Sequence, residues 1–158
     1  MEKTEFDAFY AASYSRLVHQ LHAMIGDREE AADCVQEAFA RAWSRRTSLD
    51  TTHAPEAWVR TTAYNLAVSR WRRMVRGRRD PDRALHPGDH AAPPSPDRVA
   101  LVTALQQLPA DQRRALVLHH LCDLSVAEVG SPTGTVKARL SRGRNTLHAL
   151  LTEGASHV

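Results

Sequence analysis

Residues 80–97 read DPDRALHPGDHAAPPSPD, and this stretch decides the architecture. Five of the chain's eight prolines fall in it: Pro81, Pro87, Pro93, Pro94 and Pro96. Each proline lacks an N–H and restrains the residue before it, so neither a helix nor a sheet persists through such a run. The segment reads as an extended linker. All three tryptophans, Trp43, Trp58 and Trp71, precede it, so the two sides have different cores. The expectation is two small domains, residues 1–79 and 97–158, joined by a proline-rich linker over 80–96.

Outward from the linker, helical periodicity runs through both halves. On the N-terminal side Phe6, Phe9, Tyr10, Tyr14, Leu17, Val18 and Leu21 recur at three and four. Asp27, with Glu30 three later, starts a second helix by a capping box, and Ala31, Val35, Ala38, Phe39, Ala42 and Trp43 form its apolar stripe. A third helix begins near Pro55 and carries Ala57, Trp58, Thr61, Tyr64, Leu66, Val68 and Trp71. On the C-terminal side helices are expected over 97–108 and 110–121, with a last one ending near Leu151. Strand-type alternation is missing, so the fold class is all-α.

Composition removes several kinds of function. The 158 residues are 42% apolar and 25% charged, with a formal charge of +3. That balance suits a globular chain and is too small by itself to imply a nucleic-acid partner. No apolar run approaches the roughly 18 residues of a membrane span. The start, Met1 to Asp7, has no apolar signal core, so a cytoplasmic protein without membrane insertion is expected. Cys34 and Cys122 stand far apart, as free thiols do in a reducing compartment. His19 and His22, or His119, His120 and Cys122, have no zinc spacing, so no metal is expected. Ser, His and Asp form no triad and no phosphate-binding loop is present, so neither catalytic residues nor a cofactor is expected.

Charge placement is more informative than its sum. Arg70, Arg72, Arg73, Arg76, Arg78 and Arg79 end the third helix, and no acidic residue occurs between Glu56 and Asp80. Trp58, Tyr64 and Trp71 interleave with them. Guanidinium groups suit phosphates and aromatic faces suit unstacked bases, which favours nucleic acid over a solvated helix end. The second helix is acidic, with Asp33, Gln36 and Glu37 on one polar face, open to protein docking or to simple dipole complementarity. The last helix is basic through Lys137, Arg139, Arg142 and Arg144, with an apolar seam of Val136, Leu140, Leu147 and Leu151, and Gly143 permits close approach. Before it, Ser125 and Glu128 form a capping box with a Leu124/Val129 staple. A short helix, a turn and a basic helix follow helix-turn-helix grammar.

Together these motifs resemble the extracytoplasmic-function (ECF) group of bacterial sigma-70 family sigma factors. The first half is similar to their region 2 through Phe6-x-x-Phe9-Tyr10, Ala32-Asp33-Cys34-Val35-Gln36-Glu37-Ala38-Phe39, Ala57-Trp58-Val59-Arg60 and Tyr64-Asn65-Leu66-Ala67. The second is similar to region 4 through Leu108-Pro109-Ala110-Asp111-Gln112-Arg113, Leu124-Ser125-Val126-Ala127-Glu128, and the run from Gly134 to Arg144. The resemblance implies a non-enzymatic protein that binds core RNA polymerase and directs it to promoter DNA, with an anti-sigma protein as a further candidate partner. It implies that Asp33, Gln36, Glu37 and Phe39 dock on polymerase. It places −10 element reading between Thr51 and Arg76, on Trp58, Arg60, Tyr64, Asn65, Arg70, Arg73 and Arg76. It places −35 element contacts on Thr135, Lys137, Arg139, Ser141, Arg142 and Arg144. The alternative is a helical DNA-binding regulator or interaction protein with an impaired helix-turn-helix.

One departure stands out. Only Val129-Gly130-Ser131 separates Glu128 from Pro132, where the family usually carries about four more residues. Gly130 and Pro132 are expected to stop the supporting helix within one turn, making it roughly 6 Å shorter.

Overall fold

The computed structural model describes residues 1–49, 54–77 and 95–156. Every regular element among them is helical. The chain separates into two units, one built mainly on the first four helices and the other on the last four. The linker expected over 80–96 lies outside the described residues except for its last two.

In the first unit α1 spans Lys3–Ile25, α2 Arg28–Ser44, α3 Arg46–Leu49 and α4 Pro55–Val75. Asp27 caps α2, its side chain accepting from the Glu30 N–H at 3.1 Å. Pro55 opens α4 at a position whose N–H has no intrahelical acceptor. Gly26 and Gly77 hold positive φ after α1 and α4, the left-handed conformation that ends a helix most easily in glycine. α2 packs along α4. Leu17, Val18, Leu21, Val35, Ala38, Leu49 and Val59 are buried there, as the three-and-four recurrence requires. α3 was not expected: a four-residue helix with Leu49 as its single buried residue has no periodicity to read.

In the second unit α5 spans Pro96–Leu105, α6 Ala110–Leu116, α7 Val126–Val129 and α8 Thr133–Ser156. The linker was expected to reach residue 96, but Ser95 already caps α5 and Pro96 is its first residue. Proline is excluded from helix interiors, not from the first turn. The single helix expected over 110–121 is instead α6 followed by a π-helical turn, Val117–Leu121, closed by Cys122 N–H to Val117 C=O. α8 continues past Leu151 because no proline interrupts it. Val136 and Leu140 of its seam are buried, as are Leu116 and Val117, and α8 packs on α6. A Cβ on Gly143 would sit 2.9 Å from Leu116 Cδ1, so glycine allows α6 and α8 to approach closely.

Candidate functional site

On α2, Asp33, Gln36 and Glu37 follow the spacing that places i, i+3 and i+4 together on a helix. Their openness differs. Glu37 is exposed and pairs with Arg41 at 3.3 Å. Gln36 is half-buried and donates to the Tyr14 hydroxyl at 3.2 Å. Asp33 is only 9% exposed. Phe39 is 2% exposed, with ring centroids 4.8 Å from Tyr10 and 5.4 Å from Phe9. It was expected among the docking residues, but its apolar ring is spent on the core beneath that face. Burial also pushes the Tyr10 hydroxyl up from its ordinary pKa.

On α4 the basic residues divide into two sets. Arg60 and Arg70 were expected to contact DNA, yet both turn inward. Arg60, 7% exposed, donates from Nε to Gln20 Oε1 at 3.0 Å and lies 3.9 Å from Glu56. Glu56 also accepts from Arg16 Nε at 2.8 Å. Arg70 Nη1 lies 3.5 Å from Glu30 Oε1, which also accepts from the Cys34 thiol at 3.4 Å. The long arginine stems lie along the packed side of the helix and reach acceptors on α1 and α2. Burial pushes the Cys34 thiol up to about 12, with the Arg70 guanidinium opposing and Glu30 and Asp33 adding to the rise.

The second set faces outward. Asn65, Arg73 and Arg76 are exposed, while Trp58 and Tyr64 are half-buried. Helical geometry aligns Thr61, Asn65, Arg72 and Arg76, all exposed, along one crest. Arg72, outside the contacts expected above, is carried onto this crest by its seven-residue spacing from Asn65. No carboxylate lies on α4 beyond Glu56, so this crest carries positive charge only. Trp71, Met74 and Val75 near the end of α4 are also exposed, Trp71 at 60%. Thr51, Arg78 and Arg79 lie outside the described residues.

On α8 the spacing makes two polar rows flanking the apolar seam. One holds Lys137, Ser141, Arg144 and His148, all exposed; the other holds Thr135, Arg139, Arg142 and Thr146. Thr135 and Arg142 are exposed, but Arg139 Nε lies 3.3 Å from Asp111 Oδ2 on α6. Burial, with smaller contributions from the neighbouring His119 and Arg144, lowers the His120 pKa from its ordinary value. α7 ends after one turn, with both capping-box bonds formed: Ser125 N–H to Glu128 Oε1 at 3.0 Å and Glu128 N–H to Ser125 Oγ at 3.2 Å. Among the described residues no helix is long and apolar enough to cross a membrane.

Both halves of the chain match known families. Residues 9–77 match Sigma-70 region 2, and residues 98–147 match Sigma-70, region 4. The ECF RNA polymerase sigma factor SigW of Bacillus subtilis is 31% identical, covering 97% of this chain and 94% of its own. The RNA polymerase sigma-H factor of Pseudomonas aeruginosa is 29% identical over 95% of this chain and 88% of its own. Among solved structures, the sigma factor RpoE of Bartonella quintana, in complex with the anti-sigma factor NepR, superposes with a TM-score of 0.75 at 28% identity. It covers 94% of this chain and 97% of its own. A regulator with only a helix-turn-helix does not account for the region 2 match. A two-unit helical chain with a one-sided basic crest on α4, a basic α8 and both family regions in order belongs to the ECF group of the sigma-70 family and is an RNA polymerase sigma factor.

Proposed function

We propose a division of labour within this sigma factor. Residues 1–79 dock on core polymerase and read the −10 element, residues 80–94 connect, and residues 95–158 contact the −35 element. The exposed Glu37, with Gln36 and Asp33, forms the docking face, and Phe39 supports it from the core. Asn65 reads an unstacked base, while Arg72, Arg73 and Arg76 hold phosphates. Trp58 and Tyr64 border that crest. Arg60 and Arg70 act as positioning residues that set the rotation of α4. Lys137, Ser141, Arg142 and Arg144, with Thr135, face DNA from α8. The protein acts by binding alone, in the cytoplasm where polymerase works. On its likeness to the NepR-bound relative, an anti-sigma protein joins core polymerase and promoter DNA as a partner.

The observation that carries this reading is the split on α4: two arginines paired inward, and an amide and three arginines outward on a helix with no opposing acid past Glu56. The test is promoter binding by reconstituted polymerase across a salt series. Arg73→Ala should weaken binding to all sequences and lower the salt slope by about one, as for one lost phosphate contact. Arg70→Ala should leave that slope unchanged, and Asn65→Ala should alter preference at one −10 position. Equal slopes for wild type and Arg73→Ala would remove the phosphate assignment.

A further inference from the structure

We propose that the α7–α8 hairpin of this sigma factor holds promoter DNA chiefly by charge, discriminating little among base pairs at the −35 element. Sequence selection then falls mainly to α4. The proposal rests on the reading of α8 as a DNA-facing helix.

Three observations converge on it. First, a helix-turn-helix reads bases with the N-terminal residues of its second helix, and the first helix braces that helix against the backbone. Here the brace is α7, four residues long, and none of the four is buried. From Ser131 to Thr135 the chain is exposed throughout, and Val136 is the first buried residue of α8. Second, the rest of α8 is well anchored, through Val136, Leu140 and the close approach at Gly143 to Leu116. The helix therefore still presents Lys137, Arg142 and Arg144, and phosphate attraction tolerates loose orientation where base readout does not. Third, the Arg139 guanidinium lies against Asp111. The pair is exposed and weak in water, yet it must open before Arg139 can reach a base edge.

A well-placed bidentate side chain discriminates between base pairs by roughly fivefold to a hundredfold. Without a brace on the exposed stretch from Ser131 to Thr135, that factor should shrink below about fivefold per position.

The experiment is selection by holoenzyme, full-length protein on core polymerase, from a duplex DNA pool randomised over 40 base pairs. Recovered sequences should share a −10 motif and show no upstream base pair enriched by more than about fivefold. Lys137→Ala and Arg142→Ala should each weaken binding to every recovered sequence alike and lower the salt slope by about one. Asp111→Asn should strengthen binding to all of them. A strong upstream motif selected by the native chain and lost in Arg139→Ala would overturn the proposal. Unchanged affinity in Asp111→Asn would overturn the role given to that pair. If Lys137→Ala and Arg142→Ala leave affinity and slope untouched, α8 is not on DNA at all, and the underlying reading fails rather than this refinement of it.

Discussion

The two units solve the same problem, holding a basic helix, with different materials. Every phenylalanine, tyrosine and tryptophan of the chain lies between Phe6 and Trp71; the second unit has none. In the first, rings from α1 and α2 interlock, with Phe6 to Trp43 centroids at 5.1 Å, and polar side chains are drawn inward across the bundle. In the second, Leu, Val and Ala fill the core, and the ion pair on the basic helix sits at the surface. The inward arginines tie α4 to α1 and α2 and fix it in rotation as well as position. An aliphatic seam fixes position but leaves the polar rows less constrained. On the proposed division of labour, this contrast would favour base reading by α4 and charge contacts by α8.

The sharpest way to break the contrast uses the cysteines, one in each unit. Cys34 is fully buried and its thiol is pushed to about 12, whereas Cys122 is partly exposed. At pH 8 a thiol near 12 is about one part in ten thousand thiolate, against about a quarter for an ordinary cysteine. With burial shielding Cys34 as well, a thiol-directed reagent should modify Cys122 much faster than Cys34 in the folded protein. Cys34 should react only as the first unit opens. Mass spectrometry of peptides from a labelling time course checks this, and comparable rates would mean the first core is not closed.

A smaller effect comes from the ring cluster. Phe39→Ala should cost about 3–5 kcal/mol in the first unit, the usual range for deleting a buried aromatic ring. Because the second unit lacks aromatic residues, near-ultraviolet circular dichroism and tryptophan fluorescence report on the first unit alone. Their denaturation midpoint should fall, while the far-ultraviolet signal of the second unit keeps its own. If both transitions moved together by the same amount, the two cores would not be independent.

These contrasts were only partly legible in the sequence. The long helices were, because Leu17, Val18, Leu21 and Val35, Ala38, Ala42 recur at helical spacing and Asp27 and Pro55 mark starts. α3 was not, since Leu49 alone makes no pattern. Nor was the π turn at Val117–Leu121, whose apolar residues fit an α-helix equally well. The inward turn of Arg60 and Arg70 was hidden for a different reason. Their acceptors, Gln20 and Glu30, lie forty residues away, and residue type alone places arginine at the surface. Arg72 was the opposite case: its spacing from Asn65 placed it on the crest, and only the run of neighbouring arginines obscured it.

The smallest expected effect tests whether α7 owes its single turn to its cap. The Glu128 carboxyl is held below the ordinary glutamate range by the Ser125 backbone N–H, with the Ser125 side chain adding to the shift. A carboxyl whose folded pKa is lowered stabilises the fold above its unfolded pKa, and that contribution is lost as pH falls through the folded value. α7 should therefore be intact at neutral pH and fray in acid below the ordinary glutamate range. Ser125→Ala should fray it at neutral pH, at a cost of about 1 kcal/mol. Backbone carbon chemical shifts at Val126–Val129 measure both. Asp27→Ala supplies the counterpart, because α2 is also held by Ala31, Cys34, Val35 and Ala38 in the core and should stay helical without its cap. Where a helix buries a stripe, packing outweighs capping. None of the four residues of α7 is fully buried, so the cap decides. Helical shifts in α7 that survived both acid and Ser125→Ala would show that the turn is braced by α8 after all, and the difference between the two units would narrow accordingly.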